Sequence, residues 1–233
     1  MADQERFNVL IFSKTSSYRH DCIPVAIDAI QGCGQQTGLF TTFASEDAEA
    51  VMTASALEKC RVVVLLHCTG DFLSFAQTQA LREFLRRGNG VVATHGAAAG
   101  MLSDSWYGDL IGAHFDMHPD PEEGSVVVEE ANANHEILKG CGGCHSWNDE
   151  WYNFTSHPRD NERLQILLKG DTASFQGGKM GEDHPLSWCQ EFEGGRVYYT
   201  ALGHFDEAYR NYWFMHQIKR GILWAAGRQE AES

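Results

Sequence analysis

Short apolar runs alternate along the chain with longer segments of helical period, the pattern of βαβ units on a parallel sheet. Phe7–Phe12 reads as a first strand. Ile23–Gln36 reads as the helix after it, with Pro24 in its first turn and Gly38 just past its end. Leu39–Ala44 predicts a second strand. Arg61–Leu66 predicts a third, apolar on both faces as a buried parallel strand requires. Ser74–Arg87 is amphipathic at helical spacing and stops at Gly88, and Gly90–Thr94 predicts the fourth strand.

Beyond Gly100 the pattern loosens. Trp106–Gly112 predicts a short helix and Ser125–Glu130 a strand, while Ala131–His157, rich in Asn, Gly, His and aromatics, reads as a functional loop. Leu164–Lys169, Leu186–Phe192 and Arg196–Leu202 predict further strands, and a closing helix is expected over Asp206–Ala226. Neither a repeat nor a linker divides the chain. Its 233 residues are expected to form a single α/β domain, flavodoxin-like and doubly wound around a mainly parallel sheet.

Composition narrows the function. With 43% hydrophobic and 21% charged residues the chain can bury a core, which excludes global disorder. Lys and Arg total 18 against 32 Asp and Glu, a net charge of −14 that repels phosphate backbones and anionic lipid. Nucleic acid and membrane are therefore not expected as partners. The segment Met1–Arg6 is polar, and the apolar Phe7–Phe12 is too short for a signal peptide, so a cytoplasmic location is expected. The seven cysteines are odd in number and scattered, which reads as reduced thiols.

The eleven histidines matter by placement. His67 directly follows the third strand and His95 the fourth; His204 follows Leu202-Gly203 at the end of the last strand, and His20 lies after the first, within Tyr18-Arg19-His20-Asp21. Ligands of open parallel sheets bind beyond the carboxyl ends of the strands, so four histidines from four loops are placed to meet at one rim. Three readings stay open. Imidazoles with one carboxylate suit zinc or a similar divalent metal. A histidine can instead shuttle protons for a sugar or carbonyl substrate. The plain alternative is hydrogen-bonding loop histidines without chemistry.

His114 and His118 stand at i and i+4, but Pro119 pushes His118 toward extended backbone. Asp149-Glu150 is the acid/base candidate: neighbouring carboxylates on a strand point opposite ways, so one faces a site while the other is solvated or paired elsewhere. Trp147, Trp151 and Tyr152 beside it suit stacking on a sugar ring. Cys141-Gly142-Gly143-Cys144-His145 has the letters of a haem-attachment motif, but covalent haem needs export, of which the chain shows no signal. Neither haem nor a nucleotide is expected. At the tight turn after the fourth strand, where hydrolases and amidotransferases carry Ser or Cys, stands His95, which argues against acyl transfer.

Taken in order, several segments resemble the ThuA-like (trehalose-utilisation) family. They are Tyr18-Arg19-His20, Gly88 through His95, Trp106-Tyr107, Leu110 through Phe115, His118-Pro119, Asp149 through Tyr152, His184 through Trp188, and Gly194 through His204. The resemblance runs from Phe7 to Gly227, with the Gly/Cys-rich insert Gly140–His145 as a departure. It implies a class I glutamine amidotransferase-like fold without the cysteine nucleophile. It also implies a sugar-catabolic role tied to trehalose, related disaccharides or their keto derivatives.

The expected protein is an enzyme acting on a disaccharide, glycoside or keto-sugar as hydrolase, lyase or isomerase. His20, His95 and His204 would form its core, as ligands of a divalent metal or as proton shuttles, with Asp149 or Glu150 as general base. Tyr18 and Arg19 would orient substrate hydroxyls, and His118, Trp151 and Tyr152 would complete the substrate surface. A non-catalytic sugar-binding or regulatory module fits the aromatic-rich loop equally well. Trp213, Phe214 and Trp224 on the closing helix read as core more than as interface, leaving a homo-oligomer open.

Overall fold

A computed structural model describes residues 5–228. The first half winds as β1 (Phe7–Phe12), α1 (Ile23–Thr37), β2 (Phe40–Ser45), α2 (Ala48–Val51), α3 (Ala54–Leu57) and β3 (Val62–Leu66). It continues through α4 (Phe75–Arg86), β4 (Gly90–Thr94), a 3-10 turn over His95–Ala99 and α5 (Ser105–Ile111). The second half is mostly strand: β5 (Phe115–Met117), β6 (Glu122–Val128), β7 (Cys144–Asp149), β8 (Asn153–Phe154), β9 (Gln165–Gly170), β10 (His184–Phe192) and β11 (Gly195–Thr200). It closes with α6 (Asp206–Arg210) and α7 (Tyr212–Ala225).

Nine strands form one sheet in the order β2-β1-β3-β4-β11-β10-β9-β6-β7, while β5 and β8 make a separate two-stranded ribbon. The five strands from β2 to β11 are parallel. This is the doubly wound, flavodoxin-like core, with its switch point between β1 and β3. Every residue of β3 (VVVLL) and β4 (GVVAT) is buried, as expected of strands with helices flanking the sheet. Beyond β11 the sheet continues antiparallel through β10, β9, β6 and β7. Antiparallel neighbours need only short turns, so this half alternates strands and loops without long crossover helices.

Local chemistry sets the boundaries. Ser74 and Gln77 form a reciprocal capping box at the start of α4. Gly38 ends α1 in the left-handed conformation, with φ of 66°. The closing helix expected as one piece is two, because Asn211 adopts extended backbone and its Oδ1 accepts from the Trp213 and Phe214 amides. Asparagine at this position competes with the helical ladder and caps a new helix instead. Phe214 and Trp224 are buried and Trp213 packs against the same core.

Two corrections concern the stretch read as loop and the gap after β2. Cys144–Asp149 is an edge strand, masked in sequence because its outward residues Ser146 and Asn148 are polar and its inward Asp149 is charged. The short helices α2 and α3 are started by Asp47 and Thr53, whose side chains accept from Ala50 N and Ala56 N.

Two helical glycines report opposite packing. A Cβ on Gly221 would lie 2.3 Å from Tyr198 Cδ1, so α7 approaches β11 closely only because no side chain intervenes, whereas one on Gly32 in α1 would meet nothing within 4 Å. Gly221→Ala is expected to destabilise by about 1–3 kcal/mol through overpacking. Gly32→Ala is expected to stabilise by about 0.5–1 kcal/mol through helix propensity. Thermal melts of the two variants should shift in opposite directions, and a shared sign would contradict this packing.

Candidate functional site

The parallel half delivers four histidines to the carboxyl ends of its strands. His67 and His95 sit immediately after β3 and β4 with φ of 51° and 43°, a left-handed conformation uncommon for a residue with a Cβ. The backbone turns sharply there, and the strain is held by the buried strands behind it. Gly203, with φ of 116°, makes the corresponding bend after β11, where a Cβ would press on Tyr209 Oη at 2.9 Å. His204 follows. His20 arrives from the loop after β1, which is pinned to the β3 loop by Ser16 N to Thr69 O (2.9 Å) and by Thr69 Oγ1 to Tyr18 O (2.6 Å).

The carboxylate comes from the far edge of the sheet. Asp149 ends β7, and its fully buried side chain is enclosed by donors. Oδ2 accepts from Trp147 Nε1 and Gly203 N, both at 2.8 Å; Oδ1 accepts from Glu150 N at 2.9 Å and His204 N at 3.2 Å. Asp149 is thus spent on holding the β7 and β11 ends together and is corrected from general base to a positioning role. Glu150 faces the histidines. Its Oε2 lies 3.1 Å from both His95 Nε2 and His204 Nδ1, and its Oε1 3.3 Å from His118 Nε2. Donor atoms of His20, His95, Glu150 and His204 all fall within 4.8 Å of one another.

Hydrogen bonds settle the orientation of two rings. His95 Nδ1 is 2.5 Å from Ala201 O, a pure acceptor, so Nδ1 carries a proton and the ring turns Nε2 toward Glu150. His118 is oriented in the same way by Nδ1 to Pro119 O at 2.8 Å. Burial, reinforced by His95 and His204, pushes the His20 pKa down to about 2, so this ring is neutral at physiological pH. His67, wholly buried, is likewise held well below its ordinary value, chiefly by desolvation. Burial works against the charge of Glu150, but hydrogen bonds from His204 and His95 outweigh it and keep the carboxylate well below its usual range. For His204, burial lowers the pKa and Glu150 more than restores it, leaving it above the ordinary value.

Of the expected site residues, the fold gathers His20, His95, His204 and Glu150, with His118 on the second oxygen of Glu150. Tyr18 stands at the mouth, 61% exposed, its ring edge-on to His20 at 4.8 Å. Arg19 is engaged by Glu46 at 2.6 Å in an exposed ion pair. Trp151 needs correction: it is fully buried, stacked on Phe175 at 4.3 Å and bonded through Nε1 to Glu122 O, so no sugar can reach its face. Tyr152 is also buried and packs behind His95 at 4.2 Å, supporting that ring rather than presenting a surface.

Sequence reasoning missed the supporting shell. Tyr209 Oη meets His67 Nε2 at 2.7 Å, and Tyr199 Oη donates to His95 O at 3.1 Å. Neither tyrosine carries a local signal, and the Ala201 carbonyl that orients His95 is backbone, invisible to residue patterns. His184 is fully buried on β10, its Nε2–H donating to Tyr152 O at 3.0 Å beside the Glu150 segment.

Burial pushes the His184 pKa from 6.5 down to about 4. The neutral form is favoured by folding, so its contribution is complete above pH 6.5 and is lost as pH falls from 6.5 toward 4. The unfolding free-energy gap between wild type and His184→Gln should narrow by about 3 kcal/mol between pH 7 and pH 4. Urea melts at both pH values read it directly, and a constant gap would refute it.

Residues 8–225 match the family model described as ThuA, trehalose utilisation. Among curated proteins none matches the chain. A ThuA-like protein from Bacteroides uniformis has the same fold with a TM-score of 0.79 at 20% identity, over 97% of this chain and 93% of that one. Another from Parabacteroides merdae gives 0.77 at 16% identity, over 98% and 93%. A β-galactosidase from Bacillus circulans sp. alkalophilus gives 0.61 at 12% identity over 96% of this chain but only 31% of its own, a likeness of fold alone. On the extent of the family match, this chain belongs to the ThuA, trehalose-utilisation family, built on a class I glutamine amidotransferase-like fold.

Proposed function

We propose that the protein is an enzyme of sugar catabolism acting on a disaccharide, glycoside or keto-sugar. In this reading His20, His95, His204 and Glu150 hold a divalent metal at the working centre. The observation that carries it is the pairing at His95. With Nδ1–H committed to Ala201 O, Nε2 is the nitrogen that faces Glu150 Oε2, at 3.1 Å. A shared proton or a cation between them holds such a pair. A proton would satisfy one such contact, but His20 and His204 bring donors to the same point. Three imidazoles and a carboxylate are a donor set that zinc or a similar ion takes. A ligand histidine anchored through its other nitrogen to a backbone carbonyl is the usual support.

When bound, such an ion supplies Lewis acidity toward a sugar oxygen and toward water. The chain's own residues do the rest. His118 is the most open of these imidazoles and touches Glu150 Oε1, which suits it to pass a proton between a substrate hydroxyl and that carboxylate. Tyr18 presents its ring and hydroxyl at the mouth. Family membership supports a sugar as substrate. Placement in the cytoplasm is supported by seven free cysteines. Among the described residues no helix is long and apolar enough to cross a membrane.

Elemental analysis of dialysed wild type should find close to one metal per chain, lost in His95→Ala and Glu150→Gln. Both variants should lose at least about a hundredfold in turnover of a disaccharide or keto-sugar. Retained turnover in both would refute the assignment. A wild type that binds sugar and returns it unchanged would make the protein a binding module.

A further inference from the structure

The end of the sheet opposite the histidines gathers positive charge in a chain whose net charge is −14. Arg61 stands immediately before β3, Arg196 is the second residue of β11, and Arg228 lies just past α7. Two of the guanidinium groups close on Gly227: a Cβ there would lie 3.4 Å from Arg61 Nη2 and 3.9 Å from Arg196 Nη1. Like charges gathered in this way repel. Burial lowers the Arg61 pKa, and Arg228 and Arg196 lower it further.

Compensation for these charges is incomplete. The last carbonyls of α7 take one N–H from each of two arginines: Arg61 Nε donates to Ala226 O at 2.9 Å, and Arg196 Nη1 to Trp224 O at 3.1 Å. Arg61 also donates through Nη1 to Asn89 Oδ1. Glu191 Oε1 lies 3.5 Å from Arg196 Nε but is 75% exposed, so water screens it. Arg61 and Arg228 have no carboxylate partner among the described residues, and the Arg228 side chain makes no hydrogen bond there.

Arg196 and Arg228 line a groove of about 470 Å³ together with Asn134, His135, Glu136 and Trp224. Arg196 is fixed in place by its guanidinium lying 5.5 Å over the Trp224 ring. Guanidinium forks match the paired oxygens of a phosphoryl group. Within and behind the groove, three guanidinium charges stand against the single acid Glu136, a surplus that suits a dianion. The strand β11, about 16 Å long, separates this end from the turn that carries His204. An occupant of the groove is therefore no substrate of the centre.

We propose that this groove binds a small phosphate dianion, free or carried as the monoester of a small metabolite, at a site separate from the histidine centre.

Isothermal titration at constant ionic strength tests it, with inorganic phosphate, glucose 6-phosphate and, as control, sodium chloride. Phosphate should bind saturably at one per chain where chloride does not. Arg228→Ala, which removes no hydrogen bond of the fold, and Arg196→Gln should each weaken it at least about tenfold. Glu150→Gln should leave it unchanged, because the site does not use the centre. Phosphate binding no better than chloride would overturn the proposal. So would binding that survives in both arginine variants, or that vanishes in Glu150→Gln. Glucose 6-phosphate binding as tightly as phosphate, with the same dependence on Arg228, supports the site as one for organic phosphates; phosphate binding without the ester supports it as one for the free anion. Elemental analysis of the arginine variants should show the metal content of wild type, so the groove and the centre are judged separately.

Discussion

Everything at the site depends on a carboxylate that never meets water. Asp149 is fully buried, and burying a charge costs several kcal/mol unless hydrogen bonds replace its hydration. Here four N–H donors do so, two from its own segment (Trp147, Glu150) and two from the turn after β11 (Gly203, His204). The geometry admits one relative placement of those segments. By fixing the backbone of Glu150 and of His204 together, Asp149 sets the 3.1 Å contact between their side chains. The strained turns at His67 and His95 and the glycine bend at Gly203 then aim the remaining rings at the same point.

The parallel half of the fold was legible because its physics is local. The uninterrupted apolar runs of β3 and β4, the capping residues of α4 and the terminal glycine of α1 each announce their element within a few residues. Strand-end position was enough to mark His20, His95 and His204, since a parallel sheet sends those loops to one rim. The antiparallel half was harder. The edge strand β7 carries polar and charged residues for reasons that lie elsewhere in the chain: Asp149 is inward because Gly203 and His204 need an acceptor. The choice between Asp149 and Glu150, and the burial of Trp151 under Phe175, likewise depend on partners more than twenty residues away. Trp151 looked like a sugar platform because an aromatic beside a carboxylate has the same letters whether it faces solvent or core.

The site draws on both halves of the sheet in unequal ways. The imidazoles of His20, His67, His95 and His204 belong to the parallel core, whose central strands β3 and β4 are buried on both faces and tolerate little change. Glu150 is presented by the outermost strand, at the end of a segment that begins in the glycine-rich turn Gly140–Gly143, exposed except at Cys141.

That division of labour has an evolutionary consequence. Insertions in the surface turn before β7 and substitutions at its outward residues Ser146 and Asn148 cost the fold little, while Asp149 keeps the acidic group of Glu150 against a fixed wall of bases. A lineage carrying this architecture can therefore explore new reactions by remodelling a single peripheral hairpin. Its inherited histidine rim stays intact, and chemistry can diversify faster than the scaffold.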